Sequence, residues 1–299
     1  MTFKLGIIGG SGLYAIDGME NANWMRVATP WGQPSDDILT GRIAGVDVCF
    51  LPRHGRGHRI PPHQLNVRAN IDALKRLGCT DLLAVSAVGS LNAAMKPGDF
   101  VVADQFIDRT HSRPSTFFET GLVAHVPMAD PTCPRLCALA ADAVAAAGGM
   151  VHRGATYLAM AGPAFSTRAE SRLHRAWGCD LVGMTAMPEA KLAREAELPY
   201  ALVAMVTDFD CWHDGADGPN DVPNDVNVAN ILAVMHGNAA LARAMIVKLC
   251  ASLPAVRTPS PIDTVLDQAI MTSADARDPA LLAKNSAILA RWLANQPTG

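Results

Sequence analysis

The sequence has no apolar run of the roughly 18 residues that a bilayer-spanning helix needs. Its start, "MTFKLGIIGG", passes into a strand-like run after one lysine and does not have the layout of a signal peptide. An excess of positive charge is also lacking, since the net charge is −3 and no long block is basic. We therefore expect a cytoplasmic protein that binds neither membranes nor nucleic acid.

Paired cysteines are lacking as well. The seven cysteines are scattered, and an odd number without regular spacing argues against a disulfide framework. Cys133 and Cys137 lie close together, but no histidine pattern accompanies them, so they make a poor zinc site. We predict reduced thiols and no metal.

Strand-like apolar runs alternate with amphipathic helical stretches along most of the chain. This alternation predicts an α/β fold with a mostly parallel sheet, in which ligands bind beyond the carboxyl ends of the strands. The predicted helices cover 63–78, 133–149, 167–177, 187–197 and about 228–252. The predicted strands cover 4–9, 47–52, 82–88, 100–103, 155–160, 180–184 and 201–206.

The C-terminal third has a different composition. Residues 212–227 are rich in Gly, Pro, Asn and Asp, which predicts a mobile loop suited to a lid. A Pro-rich linker follows the long helix, and two short helices end the chain, the second at 279–296. We predict one catalytic domain, residues 1–255, and a helical tail, residues 256–299.

Three turns that follow strand-like runs are suited to an anion. Gly9–Gly12 offers backbone N–H groups and the Ser11 hydroxyl. Arg53 and His54 offer side-chain donors, and "SAVGS" (86–90) offers small, donor-rich surroundings. A solvated basic loop is the commoner explanation of Arg53 and His54 alone, and the first turn alone is a weak signal, but the three turns together predict an inorganic phosphate site.

The first of these turns also fits a dinucleotide-binding pattern. That alternative, a nicotinamide-dependent oxidoreductase, requires a helix directly after the turn and an acidic residue at the end of the second strand. The segment "IDGMENANW" is too short and polar for that helix, and "VDVCFLPRHG" offers no such acid. The phosphate interpretation is therefore favoured.

Two further strand exits carry side chains that admit two interpretations. Phe165 belongs either to the core or to a surface that stacks on a planar ring. Met184 and Thr185 are suited to a sugar pocket. The carboxylate of Glu189 falls in the first turn of a predicted helix, where the positive end of the helix dipole is by itself a sufficient reason for an acidic residue.

Asp208 and Asp210 directly follow the buried-looking run 201–206. Carboxylates at the mouth of a core strand lose hydration, which a fold rarely accepts without a partner or ligand. We therefore expect these two acids to bind a ligand at the edge of the sheet.

Together these motifs resemble the nucleoside phosphorylase family, and within it the trimeric enzymes that act on 5′-methylthioadenosine. The resemblance covers about 1–255 and follows one order: "GIIGGSGL", "RHGRGH", "SAVGSL", "KPGDFVVADQFIDRT", "HVPMADP", "AGPAFSTRAE", "GMTAMPEA" and "TDFDCW". It implies a single α/β domain with a mixed, largely parallel central sheet flanked by helices. It also implies a homotrimer without an organic cofactor, for which inorganic phosphate is a co-substrate.

The resemblance further implies a reaction and residue roles. Phosphate attacks the anomeric carbon as the purine leaves, which gives adenine and 5-methylthioribose 1-phosphate. Met184 would lie against the ribose and Phe165 near the purine. Asp208 would be the acid at the purine N7 and Asp210 the partner of N6, with the order of the two open. The phosphate would be surrounded by Ser11, Arg53, His54, Ser86, Ala87 and Thr185.

The resemblance leaves the base open between two classes. Asp208 and Ser166 favour a 6-aminopurine, whereas "AGPAF" and Gly183 resemble the enzymes for 6-oxopurines or methylthioinosine. Gly183 is expected to loosen the base or ribose pocket. A non-enzymatic nucleoside-binding protein is a further alternative, but it would not need Arg53, His54 and both anion-binding turns.

The 5′ position has an apolar wall by resemblance. Val228, Ile231 and Leu232 would supply it from the long helix, and His125 would enter from a neighbouring subunit. Because an apolar pocket rejects a hydroxyl only modestly, we expect some activity on adenosine.

Overall fold

One mixed sheet organises the computed structural model, which describes residues 2–10, 12–13, 18–213 and 228–296. Six of the ten strand pairings in this part of the chain are parallel. The strands are β1 (Lys4–Gly9), β2 (Glu20–Met25), β3 (Ile38–Ile43), β4 (Val46–Pro52), β5 (Asp81–Ser90), β6 (Phe100–Ala103), β7 (Gln105–Arg109), β8 (Val151–Arg153), β9 (Thr156–Met160), β10 (Leu181–Gly183) and β11 (Tyr200–Phe209). Their order is β2-β3-β4-β1-β5-β10-β9-β7, and β11 joins β5 to β6, which pairs with β8.

Helices cover both faces of this sheet. They are α1 (Val67–Arg76), α2 (Pro134–Ala146), α3 (Arg168–Ala176), α4 (Ala186–Glu195), α5 (Val228–Ser252), α6 (Pro279–Lys284) and α7 (Ala290–Ala294). Short 3₁₀ helices lie at Pro62–Gln64, Pro261–Asp267 and Ala274–Ala276. Among the described helices, none combines the length and apolar character that crossing a bilayer requires.

The predicted α/β class and the largely parallel sheet are confirmed. The seven predicted strands are present because their apolar runs are buried on both faces. In β5, Leu82 and Ala84 pack on the side of α1 and α4, whereas Leu83 and Val85 pack on the side of α2 and α5. A central strand that is covered by helices on both sides therefore has a continuous apolar sequence.

Four strands were not predicted: β2, β3, β7 and β8. β3 is six residues long and buried at Ile38, Leu39 and Ile43, but Thr40, Gly41 and Arg42 interrupt its apolar run. β2 is polar and mostly exposed, and it pairs antiparallel with β3 at the edge of the sheet. β7 is only partly buried, and β8 has three residues. Edge and short strands lack the continuous apolar signal that identified the others.

The C-terminal segment packs back onto the sheet domain. Arg257 is 4% exposed and forms salt bridges with Asp81 of β5 and with Asp263. Arg291 pairs with Glu197 at 2.6 Å. The helix predicted at 279–296 is divided into α6 and α7 at Asn285, whose buried amide donates to the carbonyls of Phe117 and Leu281. From residue 214 onward, the loop predicted at 212–227 lies outside the described residues.

Candidate active site

The carboxyl ends of five strands meet at one cavity of about 490 Å³. The ends belong to β4, β5, β9, β10 and β11, as expected for an α/β sheet. The lining residues that these ends supply include Arg53, His54, Ser86, Ala87, Met160, Met184, Thr185, Asp208 and Asp210.

Most of the predicted site residues line this cavity. Phe165, 45% exposed, and Ile231 of α5 join the residues at the strand ends. Ser11 and the side chains of Val228 and Leu232 lie outside the described residues. His125 is exposed and lies apart from the cavity of its own chain, beside the β-bridge between Ala124 and Ile270.

Arg53 is held in a buried network that the sequence did not predict. Its side chain reaches Glu189 of α4 through Nε at 3.1 Å and Nη2 at 3.2 Å. It also donates from Nη1 to the Val85 carbonyl and from Nη2 to the Ile8 carbonyl. Burial opposes the guanidinium charge, but the Glu189 carboxylate outweighs that effect and raises the pKa of Arg53. One Nη1 hydrogen has no acceptor within the described part of the chain and remains available to a ligand.

Glu189 therefore does more than complement a helix N-terminus. It is 2% exposed, and its Oε1 atom also accepts a hydrogen bond from the Tyr200 hydroxyl at 2.9 Å. The interpretation of Glu189 as a helix-dipole residue alone is wrong, because its carboxylate is the counter-charge of Arg53.

His54 is a neutral imidazole in this setting. Burial, Arg53 and His58 lower its pKa to about 4, and the hydrogen bond to the Ile60 carbonyl opposes them. That carbonyl lies 2.9 Å from Nδ1 and can only accept, so Nδ1 carries the proton. Nε2 is then an acceptor and not the second donor that the sequence predicts.

Ser86 and Thr185 bring two hydroxyl groups together near Arg53. Their oxygens are 3.3 Å apart, although 99 residues separate them in the chain. Thr185 directly precedes α4, and its N–H donates to the Tyr157 hydroxyl at 3.4 Å. The pair can offer hydroxyl donors to an anion beside Arg53.

Gly183 is required by Tyr157. A Cβ atom at residue 183 would lie 2.1 Å from the Tyr157 hydroxyl oxygen. Tyr157 is fully buried, so its ring has no free space into which it could move. The expectation that Gly183 loosens the base or ribose pocket is wrong, because the Tyr157 hydroxyl occupies the space that a side chain at residue 183 would fill.

Asp208 and Asp210 lie side by side at the end of β11. A Cβ atom at Gly89 would lie 3.4 Å from Asp208 Oδ2 and 3.5 Å from Asp210 Cβ, so both acids flank the same backbone position. Burial and the Asp210 carboxylate raise the pKa of Asp208 to about 6, against the Thr207 hydroxyl that donates to it at 2.7 Å. Asp208 is therefore the acid of this pair suited to hold a proton near neutral pH.

Arg113 shapes the cavity and was missed as a site residue. Its guanidinium donates to the carbonyls of Met184 at 2.6 Å, Met187 at 2.9 Å and Ala161 at 2.6 Å. It thereby ties the chain after β9 to the chain after β10. Its signal in the sequence is weak, since an Arg-Pro pair after β7 also fits an ordinary loop.

The dinucleotide alternative does not fit the chain path after β1. β2 begins at Glu20 and pairs with β3, so the strand follows Leu13 too closely for the helix that this pattern requires.

The fold and the cavity place the chain in a known enzyme family. It belongs to the phosphorylase superfamily, whose family model matches residues 4–247. It is 55% identical over 295 residues to the S-methyl-5′-thioadenosine phosphorylase of Cereibacter sphaeroides, covering 98% of this chain and 99% of the relative.

Solved structures show the same likeness. A methylthioadenosine phosphorylase from an Antarctic soil metagenomic library has a TM-score of 0.89 and 45% identity, covering 96% of this chain and 99% of that one. A variant of the adenosine/methylthioadenosine phosphorylase of Schistosoma mansoni, in complex with methylthioadenosine, has a TM-score of 0.78 and 35% identity, covering 96% and 98%.

Proposed function

We propose that this enzyme catalyses the phosphorolysis of 5′-methylthioadenosine to adenine and 5-methylthioribose 1-phosphate. The observation that carries the proposal is a single cavity with anion donors around Ser86 and an acid pair beside Gly89. These two positions are three residues apart on β5, which is about 10 Å along a strand. A nucleoside spans such a distance, with its sugar between the phosphate and the base. The named relatives support the choice of substrate.

Phosphate would bind at the Arg53 end. Arg53, whose charge Glu189 offsets, supplies its remaining Nη1 hydrogen, while Ser86 and Thr185 supply hydroxyl donors. The Ala87 backbone and the Ser11 turn would complete this half of the site. His54 Nε2 would accept the hydrogen of a phosphate hydroxyl, because the pKa of this imidazole near 4 keeps it neutral.

The base would bind between Phe165 and the acid pair. A phosphate oxygen forms a bond to the anomeric carbon while the bond from that carbon to the purine N9 breaks. The electron pair moves into the base, and Asp208 donates its proton to N7 as negative charge develops there. Asp210 would accept a hydrogen bond from the exocyclic N6 amino group.

The sugar and its 5′ substituent would contact apolar side chains. Met184 lines the cavity beside Thr185, and Ile231 and Met235 of α5 line it from another side. Val228 and Leu232 would extend this wall. We further propose a homotrimer in the cytoplasm, in which His125 of each subunit reaches the 5′ pocket of a neighbour. The reaction needs inorganic phosphate and no organic cofactor.

The test is base release from 5′-methylthioadenosine with and without inorganic phosphate, measured beside adenosine and methylthioinosine. We expect adenine release that depends on phosphate, is fastest with the methylthio substrate and is slower with adenosine. Phosphate-independent release would mean a hydrolase and would overturn the roles of Arg53 and His54. Hypoxanthine release from methylthioinosine as the faster reaction would favour the 6-oxopurine alternative.

A further inference from the structure

The Arg53 end of the cavity has little net charge of its own. The Arg53 guanidinium forms a salt bridge with Glu189 at 3.1 Å, and both side chains are 2% exposed. His54 adds no charge, because burial lowers the pKa of its imidazole to about 4. A phosphate group carries about 1.5 to 2 negative charges near neutral pH, and a charge that leaves water needs a partner. A phosphate bound at this end therefore needs a further cation.

Arg59 is a further cation that lines the same cavity. Within the part of the chain that the structure describes, Arg53 and Arg59 are the arginine or lysine residues of the cavity wall. Arg59 is exposed and therefore lies at the mouth of the cavity. Its side chain donates from Nη2 to the Ser35 carbonyl at 2.9 Å, and no carboxylate among the described residues pairs with it. The charge of Arg59 is therefore not offset, in contrast to that of Arg53.

The loop after β4 holds Arg59 next to His54. The Ile60 N–H donates to the His54 carbonyl at 3.0 Å, and His54 Nδ1 lies 2.9 Å from the Ile60 carbonyl, so two hydrogen bonds close the loop. The side chain of Arg59 lies back across Gly55, where a Cβ atom would be 2.8 Å from Arg59 Nε and 3.0 Å from the Ser35 carbonyl oxygen. Gly55 also has a left-handed backbone with φ of +70°. The missing side chain at residue 55 therefore lets Arg59 pack beside His54.

The guanidinium of Arg59 keeps most of its donors for a ligand. A guanidinium has five N–H groups, of which the Ser35 carbonyl takes one. The other four have no acceptor among the described residues. A planar fork of this kind matches the oxygens of a phosphate, which it can contact through two parallel hydrogen bonds.

We propose that Arg59 binds the phosphate co-substrate at the mouth of the cavity and supplies the positive charge that Arg53, paired with Glu189, does not. This inference rests on the proposed function, in which inorganic phosphate is a substrate. An exposed cation at the entrance of a cleft also attracts anions from solution, and dissolved salt weakens that attraction. Arg59 should act on phosphate and leave binding of the purine unchanged, since the acid pair beside Gly89 belongs to the other end of the cavity.

The test is the dependence of adenine formation on inorganic phosphate at pH 8, where an imidazole of ordinary pKa is neutral. In Arg59→Gln we expect the KM for phosphate to rise about tenfold, because a charge-assisted contact is lost. The kcat, and the KM for 5′-methylthioadenosine at saturating phosphate, should change less than about twofold. Arg59→Lys keeps the charge without the planar fork, so it should raise the KM for phosphate only about threefold. The phosphate concentration that gives a chosen rise in unfolding temperature should change by the same factors, which measures binding without catalysis.

Arg56→Gln is the matched control for the loss of a positive charge. Arg56 lies in the same loop and is also exposed, but it pairs with Asp36 and Asp37 and does not line the cavity. Because its charge is already offset, this change should alter the KM for phosphate less than about twofold.

Salt gives a second measurement. Raising the KCl concentration from about 0.02 M to about 0.5 M should lower kcat/KM for phosphate more in the wild type than in Arg59→Gln, because the variant has lost the exposed charge that salt screens. An unchanged KM for phosphate in Arg59→Gln, or an equal rise in Arg56→Gln, would overturn the inference. Failure of the wild type to release adenine with phosphate would instead overturn the proposed function, so the two failures are distinguishable.

Discussion

Arg53 and Glu189 form a two-point salt bridge beneath the cavity, with both side chains 2% exposed. The pair links the end of β4 to α4, so it fixes the donors of the predicted phosphate site relative to Thr185. Because Glu189 offsets the guanidinium charge, Arg53 can remain charged in a buried position.

Glu189→Gln should therefore destabilise the enzyme. Removing one partner leaves a buried, uncompensated charge, and we expect the free energy of unfolding to fall by about 3 kcal/mol. Urea denaturation checks this. Glu119→Gln is the matched control, because Glu119 is likewise an ion-paired carboxylate, with Arg68 and Lys284 as partners, but its side chain is 40% exposed. Glu119→Gln should lower the free energy of unfolding by less than about 1 kcal/mol. An equal loss in both variants would contradict the argument that burial makes the Glu189 salt bridge costly to break.

Asp208→Asn should remove proton donation and leave the fold intact. The amide can still accept from Thr207 but cannot transfer a proton, so we expect the rate of adenine formation to fall roughly 10²- to 10⁴-fold. In the wild type, the pKa of Asp208 near 6 means that its acid form is lost as the pH rises above 6. The rate should then fall by up to about tenfold per pH unit. A rate that rises through this range would exclude Asp208 as the acid.

Gly183→Ala should force a clash with Tyr157. The new Cβ would lie 2.1 Å from the phenol oxygen of a fully buried ring, and overpacking of this kind costs roughly 1–3 kcal/mol. Thermal unfolding measures the loss. Gly237→Ala is the control, since no atom of the described residues lies within 4 Å of its Cβ position in α5. That change should be neutral or stabilise by up to about 1 kcal/mol.

Glu195 should make stability depend on pH. Burial raises the pKa of this carboxyl from 4.5 to about 7, although Thr116 and the Phe117 N–H both donate to it at 2.7 Å. The folded state therefore binds the proton more tightly than the unfolded state. The contribution of Glu195 to the free energy of unfolding is complete below about pH 4.5. It is lost as the pH rises through 7, by up to about 3 kcal/mol.

Glu195→Gln should raise stability at pH 8 and remove most of this dependence, as urea denaturation at pH 5 and pH 8 would show. Glu197→Gln is the contrasting variant. Glu197 pairs with Arg291, so its loss should destabilise at both pH values. Identical behaviour of the two variants would contradict this account.

Strands that are buried on both faces leave a clear pattern in the sequence, whereas strands near the edge of the sheet leave a weak one. Apolar runs such as 82–88 and 201–206 identify strands, because those residues are buried on both faces of the sheet. β2 and β3 carry a weaker pattern, since an edge hairpin is satisfied largely by its backbone hydrogen bonds. The helix predicted at 279–296 was too long, because Asn285 turns inward to the Phe117 carbonyl, and that contact has no local signal.

The sequence by itself determined the α/β class and the strand ends that line the cavity, because burial and the local turns leave a pattern in neighbouring residues. Most of the site residues that it predicts, from Arg53 to Asp210, line the cavity. Only the tertiary structure decided that Arg53 is paired with Glu189, 136 residues away, and that Tyr157 fills the space at Gly183. Such contacts depend on which elements pack together, and sequence spacing does not record that.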